Sequence, residues 1–262
     1  MNISIASYSF HGLLAEGKMD VFGYLETCKY RYGLQSADIW NGMLPSTEAD
    51  YLRKVKDALD ERELVLANLC VDGAHIWEDD AGLREKHYQN ALAHLRAAEM
   101  LGARTIRIDA GVRADTFTDE QFEWIVKRYK EYAQRAYDGD YKVGPENHWG
   151  AEAVPANMKR LCEAVNHPAF GVLLHFKGLE GDRVMAPWAM HTHIAMVITE
   201  ESLDASMTLL REAGYTGYWG VEHHSARNEY AQVAIQLARV REVLERWRLN
   251  LYHIQQGDHQ HG

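Results

Sequence analysis

The chain has 262 residues, 47% hydrophobic and 25% charged, with 20 Gly and 5 Pro, a composition that fits an ordinary globular protein of one or two domains. With 28 Lys and Arg against 38 Asp and Glu the formal charge is −10, and no basic cluster interrupts it, so nucleic acid and anionic membrane are not expected as partners. No apolar run approaches the ~20 residues of a membrane span; the opening MNISIASYSF carries no basic leader, and Cys28, Cys70 and Cys162 are scattered, so the expected location is the reducing cytoplasm.

In chain order, short apolar runs predict strands at 2–7, 35–40, 64–70, 104–109, 141–146, 170–175, 191–196 and 217–222, with helical periodicity between them. Ser46, before Thr47-Glu48-Ala49, is a candidate N-cap after the second strand. Tyr88, Ala91, Leu92, Leu95 and Ala98 place an amphipathic helix over 82–101, closed by Gly102. Thr118 before Asp119-Glu120 and Thr199 before Glu200-Glu201 are further candidate caps, and Gly214 is a second helix stop. Tyr230, Val233, Ala234, Leu237, Val240, Leu244 and Trp247 mark the last helix. Residues 251–262, with His253, His259 and His261, read as a frayed polar tail behind one domain over 1–250. Eight strand–helix repeats in this length predict an α/β fold, a single-domain (β/α)8 TIM barrel. An open doubly wound sheet is second, since neither GxGxxG nor GxxxxGK[ST] occurs.

In such a barrel the chemistry stands at the C-terminal ends of the strands. Strand five ends at Glu146, in Gly144-Pro145-Glu146-Asn147-His148-Trp149-Gly150; strand six ends at His175; strand seven carries His191-Thr192-His193; strand eight ends at Glu222. Carboxylates and imidazoles on four consecutive strands, spaced by about 4.8 Å, suit one divalent cation with an open side for substrate. Side chains alternate along a strand, so His191 and His193 share a face and either one fits on parity.

These segments resemble the xylose-isomerase-like TIM-barrel superfamily, in particular its sugar phosphate isomerase/epimerase group with ketose 3-epimerases and inosose dehydratase. The likeness rests on the SYSF start, Ala37-Asp38-Ile39-Trp40-Asn41, Glu146-Asn147-His148, His-x-His at strand seven and Trp219-Gly220-Val221-Glu222. It implies one divalent metal, usually manganese, with cobalt, iron or zinc as alternatives, held by Glu146, His193 and Glu222 and by the position of the family's Asp, here His175. That replacement lowers the ligand charge from −3 to −2, a shift toward borderline metals. The short interval from His175 to His193 predicts a trimmed helix after strand six.

The resemblance further implies an isomerase or epimerase of a sugar or related polyhydroxy carbonyl compound, working through proton abstraction and an enediolate, with Glu146 and Glu222 as the catalytic pair. A lyase or dehydratase acting by β-elimination on an oxidised sugar, inositol or sugar conjugate shares the first half of that chemistry. A non-catalytic sugar-binding or partner subunit is the third reading, and whether the chain forms a homo-oligomer is left open. His148, Arg107, Asp109 and His223 are the candidate substrate contacts. Asp72, His75, Lys177 and Arg227 are weaker ones, and His11, Trp40 and Trp149 a candidate aromatic wall.

Overall fold

Among the described residues, β-branched and other apolar residues in short runs make eight strands: β1 (Ile3–Ile5), β2 (Ser36–Trp40), β3 (Val65–Val71), β4 (Thr105–Ile108), β5 (Lys142–Gly144), β6 (Val172–His175), β7 (Ala189–Ile194) and β8 (Trp219–Val221). The first helices are α1 (His11–Ala15), α2 (Val21–Glu26), α3 (Ala49–Glu61), α4 (Ala81–Leu101) and α5 (Asp119–Asp138). They are followed by α6 (Pro155–Val165), α7 (Leu179–Met185), α8 (Met196–Glu201), α9 (Leu203–Glu212) and α10 (Glu229–Asp258). The structure, a computed structural model, describes residues 1–258. The last helix runs through residue 250 into the segment expected to fray; His259 and His261 lie outside the described residues. Among the described residues no helix is long and apolar enough to cross a membrane.

All strand pairs are parallel and form two arcs, β1-β8-β7-β6 and β2-β3-β4-β5. Bridges Ala6↔Asp38 on one side, and Val143↔Phe170 and Glu146↔Leu173 on the other, close the arcs into the predicted barrel. Both seams have a specific device. At the first, the buried hydroxyl of Tyr24 on α2 donates to the Ile5 carbonyl at 2.6 Å and accepts the Asp38 N–H at 2.8 Å, standing in for ladder bonds. At the second, Gly144 meets Gly171 so closely that a Cβ on Gly144 would lie 1.7 Å from the Gly171 carbonyl oxygen. Only glycine lets these strands touch there.

Helix signals are partly corrected. Thr118 caps α5 in a full capping box with Gln121, and Gly102 ends α4 at φ 70°. Ser46 is not an N-cap: its Oγ accepts the Glu48 N–H two residues on, a local turn, and α3 starts at Ala49. Thr199 lies inside α8, its Oγ1 donating to the Ala195 carbonyl. The chain enters that helix earlier because β7 ends at Ile194. As the short interval predicted, the helix after β6 has only 7 residues.

Candidate metal centre

Glu146, His175, His193 and Glu222 each offer one ligand atom, all within 4.8 Å of one another. Their positions follow from backbone clamps. The Asn147 side chain pairs with both backbone groups of His175, donating to its carbonyl at 3.0 Å and accepting its N–H at 2.7 Å, which sets the end of β6 beside that of β5. Asp109 at the exit of β4 accepts the Glu146 N–H at 3.0 Å. From outside the barrel, Gln236 on α10 donates to the carbonyls of Ile194 and Glu222 at 2.9 and 3.0 Å, tying the exits of β7 and β8 together.

The four atoms form a closed figure. Glu146 Oε1 is 3.0 Å from His175 Nδ1 and 3.2 Å from His193 Nδ1; Glu222 Oε2 is 3.5 Å from each of the same two nitrogens. Ligands about 2.0–2.2 Å from one ion, at tetrahedral or octahedral angles, stand about 2.8–3.6 Å apart. The edges therefore fit a single small divalent cation.

His193 is the deeper hinge of the site. Its Nδ1 faces the two glutamates, while its Nε2 is 3.0 Å from Asp38 Oδ2, which also takes His191 Nε2 at 2.8 Å. Asn68 donates to the other oxygen of Asp38 at 2.9 Å, and Thr105 to Asn68 at 2.7 Å. The choice between the two strand-seven histidines is thus made by depth: both point inward, but His191 lies one layer below and binds Asp38 alone. A carboxylate behind a ligand imidazole fixes its tautomer and strengthens it as a donor.

Charge is concentrated here. Burial disfavours ionised Glu146, yet His148 and His193 outweigh it and hold the carboxyl well below its usual range. Burial likewise opposes charge on Glu222 and on Asp38; His193 and His224 prevail for the first, His191 and His193 for the second, and both carboxyls shift down. Against burial, Glu222, Glu146 and Asp38 raise His193 well above an ordinary imidazole. A buried pocket with this surplus of carboxylate favours positive charge at its centre.

Beside these four side chains opens a cavity of about 260 Å³ lined by Tyr8, Trp40, Asp72, Arg107, His148 and His224 besides the glutamates and His193. A wider depression of about 870 Å³ lies at the opposite end of the barrel, around Arg104, Tyr141 and Tyr218, away from the strand ends where barrel chemistry stands. His148 reaches the cavity, with Nε2 3.1 Å from Asp109 and Nδ1 3.3 Å from Glu146 Oε2. Arg107 lines it too, but its Nη1 is engaged by Asp72 and Asp109 at 2.9 and 2.8 Å; its buried Nε, without a hydrogen bond, is 3.4 Å from Glu146 Oε2.

Two of the candidate substrate contacts are placed elsewhere. Asp109 is buried, and its oxygens are taken by Glu146 N–H, Arg107 and His148. His223 turns its Nε2 to the Arg227 carbonyl at 3.1 Å, and the next residue, His224, stands in the cavity with Nε2 2.9 Å from Glu222 Oε2. The alternation past β8 that points Glu222 inward points His223 out and His224 in. Lys177 Nζ is tied to the His148 carbonyl at 2.6 Å. Trp40 donates to Asp72 at 2.7 Å and packs edge-on against Tyr8, which stacks on His11; Trp149 instead packs on His75 and His148. Sequence reasoning missed Asp38, Tyr8 and His224, although the parity argument applied to strand seven would have found His224.

Residues 30–247 match the family model described as "Xylose isomerase-like TIM barrel". No curated protein matches the sequence. Among solved structures, a 3-keto-D-glucoside 4-epimerase from E. coli superposes with a TM-score of 0.74 at 16% identity, covering 92% of this chain and 99% of that one. The IOLI protein, solved with a binding zinc atom, gives 0.72 at 15% identity with 94% and 99% covered. A probable 3-DHS dehydratase from Bacillus anthracis gives 0.64 at 14% identity with 92% and 98% covered. At these identities the structures share the fold.

Proposed function

Because this chain belongs to the xylose isomerase-like TIM-barrel family, we propose that it is a metal-dependent isomerase or epimerase of a sugar or related polyhydroxy carbonyl compound. The observation that carries this is the closed figure of Glu146, His175, Glu222 and His193, with edges of 3.0–3.5 Å, beside a cavity. The 260 Å³ of that cavity lie just below the about 300–1,000 Å³ of pockets for drug-sized ligands, a monosaccharide's scale. The same four residues would hold the ion, with manganese, cobalt, iron or zinc admitted by two carboxylates and two imidazoles. Such an ion supplies Lewis acidity, polarising a carbonyl and acidifying the C–H beside it.

The protein supplies the rest. Glu146 and Glu222 face each other across the two imidazoles, so a sugar carbon between them has a carboxylate on either side: one to take its proton, the other to hold or return one on the opposite face. His148 and His193 keep the Glu146 carboxylate ionised, and Arg107 brings a guanidinium Nε to 3.4 Å from its Oε2. His224, whose Nε2 meets Glu222, leaves its Nδ1 for a substrate hydroxyl, His148 lines the cavity with both nitrogens held by Asp109 and Glu146, and Trp40 with Tyr8 forms the apolar wall for the sugar's C–H face.

A second reading, a lyase that expels a β-hydroxyl, is favoured by one feature. His224, at the rim against Glu222, is placed to give a proton to a leaving hydroxyl on the side where the base acts. Products separate the two: an epimer conserves mass, whereas elimination gives an unsaturated or dicarbonyl compound.

The test is metal content of the purified protein and of His175→Ala after metal-free dialysis and reloading with Mn, Co or Zn, followed by deuterium exchange into a panel of ketoses and keto-inositols. About one ion at this centre, weakened in the variant, with exchange at the carbon beside the carbonyl, is the expected result. No ion lost on substituting His175, and no exchange, would refute the reading.

A further inference from the structure

We propose that His75, Glu78 and His87 form a second divalent-cation site, separate from the barrel centre and suited to zinc or another borderline first-row metal. His75 and Glu78 lie on the loop between β3 and α4, and His87 on the second turn of α4. His75 Nδ1 is 2.7 Å and His87 Nδ1 3.3 Å from the same oxygen, Glu78 Oε1, and the three ligand atoms lie within 4.8 Å of one another. These separations approach the about 2.8–3.6 Å between neighbouring ligands of one ion. Two imidazoles and one carboxylate on one face are a recurrent donor set for such metals, with the remaining positions left to water.

Hydrogen bonding alone leaves this cluster incomplete. His75 takes the Glu78 oxygen, and His87 Nδ1, closed off from solvent, has no hydrogen-bond partner. An imidazole nitrogen facing a carboxylate without a shared proton is an unmet cost of about 1–3 kcal/mol; a cation between them satisfies both.

The surrounding backbone holds the three donors in place. Ile76 and Trp77 donate to the carbonyls of Asp109 and Ala110 at 3.1 and 2.7 Å, and Arg84 Nε donates to the Glu78 carbonyl at 2.8 Å while its guanidinium lies 3.8 Å over the Trp77 ring. Gly111, at φ 95°, is where a Cβ would strike the Trp77 carbonyl and the His75 Cβ at 2.4 and 2.6 Å. His75 also packs on Trp149, 5.3 Å between ring centroids, and Trp149 on His148 at 6.2 Å. An ion here fixes the tryptophan that backs a wall of the sugar cavity.

The experiment counts zinc bound per chain after dialysis against buffered, low-micromolar free zinc, in the wild type, His87→Ala and Glu78→Gln. The expected result is a deficit of about one ion per chain in each variant relative to the wild type. Counting by difference cancels ions held elsewhere, and Glu146→Gln run in parallel reports the barrel centre separately, so failure of one site is distinguishable from failure of the other. Should His87→Ala fail to fold, Glu78→Gln, on a loop outside the helix, gives the same count. Equal zinc in the wild type and the folded variants would overturn the proposal.

Discussion

Asp38→Asn is the sharpest perturbation of the proposed centre because Asp38 is not one of the four proposed ligands yet hydrogen-bonds one of them, His193, from behind. The Asp38 carboxylate accepts three donors, His191 and His193 on Oδ2 at 2.8 and 3.0 Å and Asn68 on Oδ1 at 2.9 Å. An amide in the same place has one acceptor oxygen and an NH2, so whichever way it turns, at least one buried donor faces another donor. If the oxygen stays toward the histidines, Asn68 loses its partner; if it turns away, His193 does, because its Nδ1 is committed to the glutamates and its Nε2 must donate. The negative charge that makes His193 a stronger donor is lost in either case. Carboxylates behind metal-bound histidines typically account for 10–100-fold in affinity, which is about 1.4–2.7 kcal/mol. We therefore expect manganese or zinc to bind Asp38→Asn about 10–100-fold more weakly than the wild type in competition with a chelator of known affinity, with circular dichroism unchanged. An affinity within about twofold of the wild type would show that His193 is not held as a ligand through Asp38, and the layered reading of the two strand-seven histidines would fall.

Glu146→Gln and Glu222→Gln should each abolish proton exchange into substrate; near-normal exchange in either removes that residue from the acid–base pair. Tyr24→Phe strips the seam between β1 and β2 of the hydroxyl that serves Ile5 and Asp38. Two buried backbone groups at about 1–3 kcal/mol each set an expected loss of roughly 2–6 kcal/mol in urea unfolding, and a loss below about 1 kcal/mol would mean the seam closes without it. Glu152 is fully buried, its Oε1 accepting the Ala110 N–H at 2.7 Å and its Oε2 unpaired, and burial raises its pKa well above the model-peptide value of 4.5. The folded state therefore keeps a proton that the unfolded chain releases. The stability tied to that proton is whole below about pH 4.5 and falls as pH rises toward the folded value, by up to about 1.4 kcal/mol per pH unit. Glu152→Gln should gain on the wild type between pH 5 and pH 8; an unchanged gap between their urea midpoints would count against a protonated Glu152.

Much of this architecture was legible locally. Strand runs, the Thr118 capping box and the Gly102 stop depend on neighbours a few residues away, and alternation along a strand is a property of the chain itself. Those regularities are enough to set Glu146, His175, His193 and Glu222 at one rim. They failed where a short polar side chain had two local uses: Ser46 makes a turn and Thr199 bonds back within a helix.

What sequence could not show is how far into the barrel each inward residue sits and which partner it meets. His191 and His193 are equivalent by parity, and only the register of β7 against β6 and β8, with Asp38 of β2 met across the barrel, puts one on Asp38 alone and the other between Asp38 and the rim. Asp109 and Arg107 share a strand face, yet Arg107 itself and the Glu146 N–H and His148 past β5 commit Asp109 wholly to the protein. His75, Glu78 and His87 are separated by an irregular loop whose path depends on β4. Period and capping act over a turn of chain and so are written in the residues themselves; depth, seam closure and the meeting of distant side chains arise only when eight strands close on one another.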